Sequence, residues 1–161
     1  MTKTYHDSIE LTKELVQIRG PYMDEEEAIA FAHDWLKKEG IPAYYHEYKE
    51  EKVTGFAGKN VISVIDSGKP GPVVYLNGHI DTVQLCNGWT KDPYGGEIED
   101  GKLYGVGALD MKSGSAAIMV AIRDFYQNVK NFKGKIITSL VSDEEGPYGL
   151  GTSAVIADGI T

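Results

Sequence analysis

A histidine and an aspartate lie two positions apart, directly after an apolar stretch of the chain. His79 and Asp81 follow residues 72–77, a short continuous apolar run typical of a buried central strand. In an extended segment, side chains two residues apart point to the same side. A histidine that binds a metal usually donates its other ring N–H to a carboxylate, which fixes the orientation of the ring. The pair is explained either as a metal ligand with its partner or as the polar end of a strand.

Three consecutive carboxylates follow a second apolar run. Asp143, Glu144 and Glu145 come directly after residues 135–141, which predict another buried strand. Adjacent carboxylates repel one another, so they need cations, protons or solvent around them. Neighbouring glutamates point in different directions, so one can bind a metal while the other acts on a water molecule as a general base. A solvated acidic loop explains the same run.

A further aspartate lies between a glycine-rich segment and a predicted helix. Gly105 and Gly107 allow the backbone to approach another group closely, and Asp110 stands where a helix is predicted to begin. An aspartate at such a position is a candidate metal ligand or a helix N-cap. The two glycines do not indicate a nucleotide site, because the full Gly-x-Gly-x-x-Gly motif after a strand is absent.

Taken together and in this order, these segments resemble a known family. The chain is similar to the zinc-dependent exopeptidases and deacylases that include acetylornithine deacetylase, succinyl-diaminopimelate desuccinylase, aminoacylase and glutamate carboxypeptidase. The resemblance runs over essentially the whole chain. Its most specific parts are residues 78–83, the motif-rich stretch between Trp89 and Gly114, and residues 143–146.

The resemblance implies a role for each candidate side chain. It implies that His79 binds one zinc ion, that Glu145 binds a second, and that Asp110 bridges the two. Asp81 is expected to hold the His79 ring. Glu144 is expected to be the general base, which takes a proton from water and passes it to the leaving amine. The resemblance also implies a cis peptide bond after Asp110, and cobalt or manganese as possible substitutes for zinc.

The resemblance further implies that part of the enzyme lies outside these residues. A further carboxylate ligand, a C-terminal histidine ligand and a separate lid domain that forms homodimers are expected downstream. We therefore expect residues 1–161 to be the N-terminal part of the catalytic zinc-binding domain, with the lid and the C-terminal catalytic segment absent. On this view the chain is truncated, binds zinc weakly or incompletely, and has little activity alone.

The elements that must position these side chains alternate between helices and strands. Such a pattern predicts an α/β fold, in which helices flank a layered, mixed and mostly parallel central sheet. Ligands of such sheets usually bind at the carboxyl ends of strands. The periodicity predicts helices over residues 6–19, 24–40, 110–130 and 149–157, strands over 43–48, 59–65, 72–77 and 135–141, and a hairpin that pairs 96–98 with 102–104.

Composition narrows the classes of function. The formal net charge of −8 argues against nucleic-acid binding, which requires a basic face. No apolar run reaches the ~18 residues of a membrane span, and residues 1–7 lack the apolar stretch of a signal peptide. Cys86 is the only cysteine, which fits a reducing compartment. We therefore predict a cytoplasmic protein.

The leading functional hypothesis is metal-dependent hydrolysis of an amide bond in N-acyl amino acids or small peptides, as in a deacetylase or desuccinylase. The alternatives are a dipeptidase, tripeptidase or carboxypeptidase of the same family, and a non-catalytic metal-binding domain. A magnesium-dependent phosphatase is disfavoured by His79 and by the absence of a phosphate-binding loop. The other histidines, His6, His33 and His46, precede the motifs and are not expected to be ligands.

Overall fold

The computed structural model describes residues 3–161, which fold into a four-stranded sheet with helices on both faces. Met1 and Thr2, part of the segment in which no signal peptide was predicted, lie outside the described residues. The helices are α1 (Lys3–Gln17), α2 (Glu26–Lys38), α3 (Ser113–Asn128) and α4 (Leu150–Ala157); the strands are β1 (Tyr44–Lys49), β2 (Ala57–Asp66), β3 (Val73–His79), β4 (Glu97–Glu99), β5 (Lys102–Tyr104) and β6 (Lys135–Val141).

The central sheet has the strand order β1-β2-β6-β3. Its mixed character and its flanking helices confirm the predicted α/β class. The prediction of a mostly parallel sheet is wrong for the described strands, because β1 and β6 both pair with β2 in the antiparallel direction and only β3 and β6 are parallel. A short turn joins β1 to β2, and a short connection favours antiparallel neighbours. In that turn the Glu50 carboxylate accepts hydrogen bonds from the Lys52, Val53 and Thr54 amides.

Strand β3 lies at the edge of the described sheet, which corrects its predicted central position. Val73 and Val74 at its start are 52% and 45% exposed. The inner strands are β2 and β6, and Leu140 and Val141 of β6 are fully buried. A short apolar run predicts a strand, but it does not tell on which side of the sheet that strand has a neighbour.

The parallel pairing of β3 with β6 determines where the candidate site residues lie. In this register Gly78 lies opposite Leu140, and His79 lies opposite Val141. Both strands therefore end at the same edge of the sheet. The histidine at the end of β3 is thus brought next to the acidic loop that follows β6.

Two hydrophobic clusters hold the layers together. The larger lies between the sheet and helices α1, α2 and α3, and α4 covers a smaller one on the opposite face. The larger cluster includes Leu11, Leu15, Ile29, Leu36, Val61, Met119, Ile122 and Leu140, and the smaller is Ile62, Val141 and Val155.

Local sequence signals account for several element ends. Helix α2 has acids in its first turn and Lys37 and Lys38 in its last, which suits the helix dipole, and it ends before Gly40 as predicted. The predicted hairpin is confirmed, with Glu97 opposite Tyr104 and Glu99 opposite Lys102. Helix α3 begins at Ser113 rather than at residue 110.

Gly151 allows α4 to approach the end of β6 closely. A Cβ atom at this position would overlap the carbonyl oxygen of Ser142. Gly151→Ala should lower the free energy of unfolding by about 2 kcal/mol, because overpacking against fixed backbone typically costs 1–3 kcal/mol. Urea denaturation followed by circular dichroism measures this change. Ser153→Ala, at an exposed position of the same helix, is the matched control. Equal urea midpoints for the two variants would show that α4 moves away from Ser142 without a loss of stability.

Candidate metal centre

One histidine and two carboxylates from three distant segments converge at the end of the sheet. His79 ends β3, Asp110 lies before α3, and Glu145 follows β6. One donor atom from each lies within 4.8 Å of the others. Within residues 3–161, no other group of three histidine, cysteine or acidic side chains meets this criterion. The structure therefore brings together the three residues that the sequence analysis named as metal ligands.

The ring of His79 is buried and has an oxygen partner at each nitrogen. Its Nε2 lies 3.0 Å from Oδ1 of Asp110 and 3.8 Å from Oε2 of Glu144. Its Nδ1 lies 3.0 Å from the main-chain carbonyl oxygen of Asp81. Burial opposes the charged ring, but the hydrogen bonds to Asp81 and Asp110 outweigh it and raise the pKa of His79 to about 9. Because a metal binds neutral imidazole, an ion at this position would replace a proton.

Asp81 joins the end of β3 to the acidic loop. Its fully buried carboxylate accepts a hydrogen bond from the Glu145 N–H through Oδ2, at 2.9 Å. The other oxygen, Oδ1, has no hydrogen-bond partner and lies 3.6 Å from Nδ1 of His79. The carboxylate was expected to hold the ring, whereas the nearest partner of Nδ1 is the carbonyl oxygen of the same residue.

Asp110 lies on a kinked segment, Ala108–Lys112, whose backbone departs from helical geometry. Gly107 precedes it with a left-handed φ of +71°, and a side chain there would overlap Thr82. The peptide bond after Asp110 is cis, as the family resemblance implied. The Asp110 side chain is 76% exposed and faces His79 rather than capping α3, so the N-cap explanation is wrong.

Lys112 connects this kinked segment to α1 and was not singled out by the sequence analysis. Its side chain is fully buried, and its Nζ donates hydrogen bonds of 2.8 Å to the carbonyl oxygens of Leu15 and Ile18. Carbonyl groups at a helix C-terminus favour a nearby positive charge. Burial lowers the pKa of Lys112 to about 8, against the opposing charge of Asp81. The only signal for Lys112 in the sequence is its position two residues after Asp110.

The acidic loop is only partly solvated. Asp143 is fully buried with a positive φ of 52°, whereas the Glu144 side chain is 48% exposed. Burial, followed by the charge of Asp110, raises the pKa of Glu145 against the opposing effect of His79. A fully solvated loop therefore does not explain this run of acids.

Glu25 is a buried acid that the sequence analysis assigned only to the start of α2. It is 3% exposed, and neither of its carboxylate oxygens has a hydrogen-bond partner. Burial, and then the charges of Asp81 and Asp143, raise the pKa of Glu25 to about 7. In the sequence Glu25 stands among three other acids, at positions 24, 26 and 27, all of which are exposed in the structure. Nothing in that sequence distinguishes Glu25 from them, so only the folded chain reveals it.

The remaining histidines make contacts away from the three converging side chains. His33 stacks on Tyr45, and His46 lies beside Asp158. His6 is exposed on α1. None of the three joins the metal-binding group that the described residues form.

Comparison with known proteins identifies the family. The model of peptidase family M20/M25/M40 matches residues 75–161. A succinyl-diaminopimelate desuccinylase of Rickettsia akari (strain Hartford) is 32% identical over 154 residues, which cover 92% of this chain and 39% of the relative. The chain therefore belongs to peptidase family M20/M25/M40, a family of metal-dependent hydrolases, and spans about two fifths of that relative's length.

Solved structures have the same fold. Human carnosine dipeptidase 1 matches with a TM-score of 0.77 at 23% identity, over 95% of this chain and 35% of its own. The Bacillus subtilis YXEP protein, described as a dinuclear metal-binding peptidase of the M20 family, matches with a TM-score of 0.70 at 19% identity, over 98% of this chain and 40% of its own. No described helix combines the length and apolar character needed to cross a membrane.

The pKa of Glu25 predicts a pH dependence of stability. In the unfolded chain this carboxyl has a pKa of 4.5, and in the folded chain about 7, so the folded state holds the proton more tightly between these values. Stability contributed by this proton is present at low pH and is lost as pH rises towards 7. Glu25→Gln should therefore be more stable than wild type at pH 8 by on the order of 2 kcal/mol, and should lose that advantage below pH ~4.5.

Urea denaturation of the metal-free chain across this pH range measures the effect. Glu27→Gln, at an exposed position of the same acidic run, is the matched control and should follow wild type at every pH. Parallel pH profiles for Glu25→Gln and wild type would show that the Glu25 carboxyl is ionised normally in the folded chain.

Proposed function

We propose that the chain is the N-terminal part of the catalytic domain of a dinuclear zinc hydrolase, which cleaves the amide bond of N-acyl amino acids or small peptides. The observation that carries the proposal is the convergence of His79, Asp110 and Glu145 within 4.8 Å. The similarity to a succinyl-diaminopimelate desuccinylase, and the fold shared with carnosine dipeptidase 1, support amide-bond hydrolysis.

The side chains present fit zinc. Imidazole nitrogen and carboxylate oxygen are common zinc ligands. Nε2 of His79 and Oδ1 of Asp110 are 3.0 Å apart, close to the ~3.3 Å between two donors held at ~2.0 Å by a tetrahedral ion. Three donors are too few for two ions, so we propose that the downstream carboxylate and histidine expected from the family resemblance complete the site.

The roles of the side chains follow from their positions. Zinc at such a site supplies a Lewis acid for the amide carbonyl and lowers the pKa of water. We propose that Glu144 takes a proton from the attacking water and returns it to the leaving amine nitrogen. Its half-exposed side chain, 3.8 Å from Nε2 of His79, supports this role. Asp81 positions both His79 and the backbone of Glu145.

A dipeptidase, tripeptidase or carboxypeptidase activity is the second candidate, and the likeness to carnosine dipeptidase 1 favours it. Deacylation and peptide hydrolysis both break an amide bond, so the same side chains serve either reaction. A non-catalytic metal-binding domain is less well supported, because a scaffold has no need of Glu144 beside the ligand Glu145. Groups outside the described residues would select among substrates.

The proposal extends to partners and location. We propose a small N-acyl amino acid or peptide as the substrate, no nucleic-acid or membrane partner, and a homodimer formed through a lid domain outside these residues. The net charge of −8 disfavours nucleic acid. The single cysteine, Cys86, fits a reducing cytoplasm.

Metal content measured by mass spectrometry tests the site. In equilibrium dialysis at a fixed concentration of free zinc, the wild-type chain should bind zinc, whereas His79→Ala and Asp110→Ala should bind much less, because each removes a ligand atom of the converging group. His6→Ala and Asp34→Ala replace exposed residues of the same types and should retain wild-type zinc. Equal zinc in all variants would contradict the ligand assignment. Absence of zinc from wild type would show that residues 1–161 do not hold the ion without the further ligands.

A further inference from the structure

Asn60 lies beneath the loop that carries Glu144 and Glu145. This residue of β2 is fully buried. Its Oδ1 accepts a hydrogen bond of 3.0 Å from the Ser142 N–H, at the start of the loop. Its Nδ2 donates a hydrogen bond of 3.0 Å to the carbonyl oxygen of Gly151, in the first turn of α4. One side chain therefore bonds to the backbone at both ends of the loop.

The second proton of the Asn60 amide has its own acceptor. Nδ2 lies 3.2 Å from Nδ1 of His46, and Nε2 of His46 lies 2.8 Å from a carboxylate oxygen of Asp158. Because a carboxylate only accepts hydrogen bonds, the proton of the His46 ring lies on Nε2. Nδ1 is then free to accept a hydrogen bond from the Asn60 amide. The amide thus uses both of its donor protons and its acceptor oxygen within the protein.

The close packing around Asn60 leaves little room for another arrangement. Gly151 has no side chain, and a Cβ there would approach both Asn60 and the Ser142 backbone closely. The Ser142 hydroxyl is held as well, by a contact of 2.8 Å with the hydroxyl of Tyr48. Leucine matches the size of asparagine but bonds to neither backbone group. Aspartate can accept from Ser142 but cannot donate to Gly151.

We propose that Asn60 is a positioning residue for the candidate metal centre. It fixes both ends of the loop between β6 and α4, and so holds Glu145 beside His79 and Asp110. The identity of the ion that Glu145 binds rests on the proposed function. The hydrogen bonds of Asn60 to the two ends of the loop do not depend on that ion, so the two are tested separately.

Amide hydrogen exchange and zinc titration of the same 161-residue chain test the proposal. In Asn60→Leu, the amides of Ser142 and Glu145 in the metal-free chain should exchange about tenfold faster, and zinc should bind about tenfold more weakly, the usual scale for losing a group that orients a ligand. Val61→Ala is the matched control, because it removes core volume at the next position of β2 without touching the Asn60 amide. Val61→Ala should lower global stability. The ratio of amide exchange rates in the loop to those in β2, and the affinity for zinc, should both stay near the wild-type values.

Asn60→Asp keeps the test decisive if the leucine variant does not fold. It retains the acceptor for Ser142 and loses the donor to Gly151, so faster exchange should be confined to the start of α4. The proposal is overturned if Asn60→Leu matches Val61→Ala in both measurements, or, where that variant is unfolded, if Asn60→Asp exchanges like wild type. A wild-type chain that binds no zinc bears on the proposed function only, and the exchange data still decide the role of Asn60.

Discussion

The parallel register between β3 and β6 is the constraint on which the candidate site depends. It places His79 opposite Val141, two residues before Asp143. A slip of two residues, which would keep every side chain on its own face of the sheet, would displace the strands by ~6.6 Å. That displacement exceeds the 4.8 Å within which the donor atoms of His79, Asp110 and Glu145 lie. This register therefore keeps the three side chains within reach of one another.

Negative charge is concentrated around the ends of β3 and β6. The acids that converge are Glu25, Asp81, Asp110, Asp143, Glu144 and Glu145, and the nearby basic side chains are His79 and Lys112. Protons offset part of this charge, because the surrounding carboxylates raise the pKa of His79 and, with burial, that of Glu25. Cations bound at the same place would take over that role and release protons. The acidity of the site is therefore compatible with a place that holds cations.

Sequence patterns predicted what is local and missed what depends on distant contacts. The hairpin β4–β5 and helix α2 were predicted because turn residues and helix-end charges act over a few positions. The edge position of β3 and the direction of β2 depend on which strands pair, and neighbouring residues do not encode that. The site residues were named from their motifs, whereas the contributions of Lys112, Glu25 and Asn60 come from burial in the folded chain.

Three polar contacts of different kinds join the segments of the site to the rest of the fold. Lys112 ties the segment of Asp110 to the end of α1, Asn60 ties the acidic loop to β2 and α4, and Asp81 joins β3 to the Glu145 amide. Each contact uses a main-chain group, so it fixes the path of the backbone, which in turn fixes where the side chains start. Because these contacts form when the chain folds, folding meets part of the entropy cost of assembling the ligands. The site is in this sense a property of the sheet and its helices.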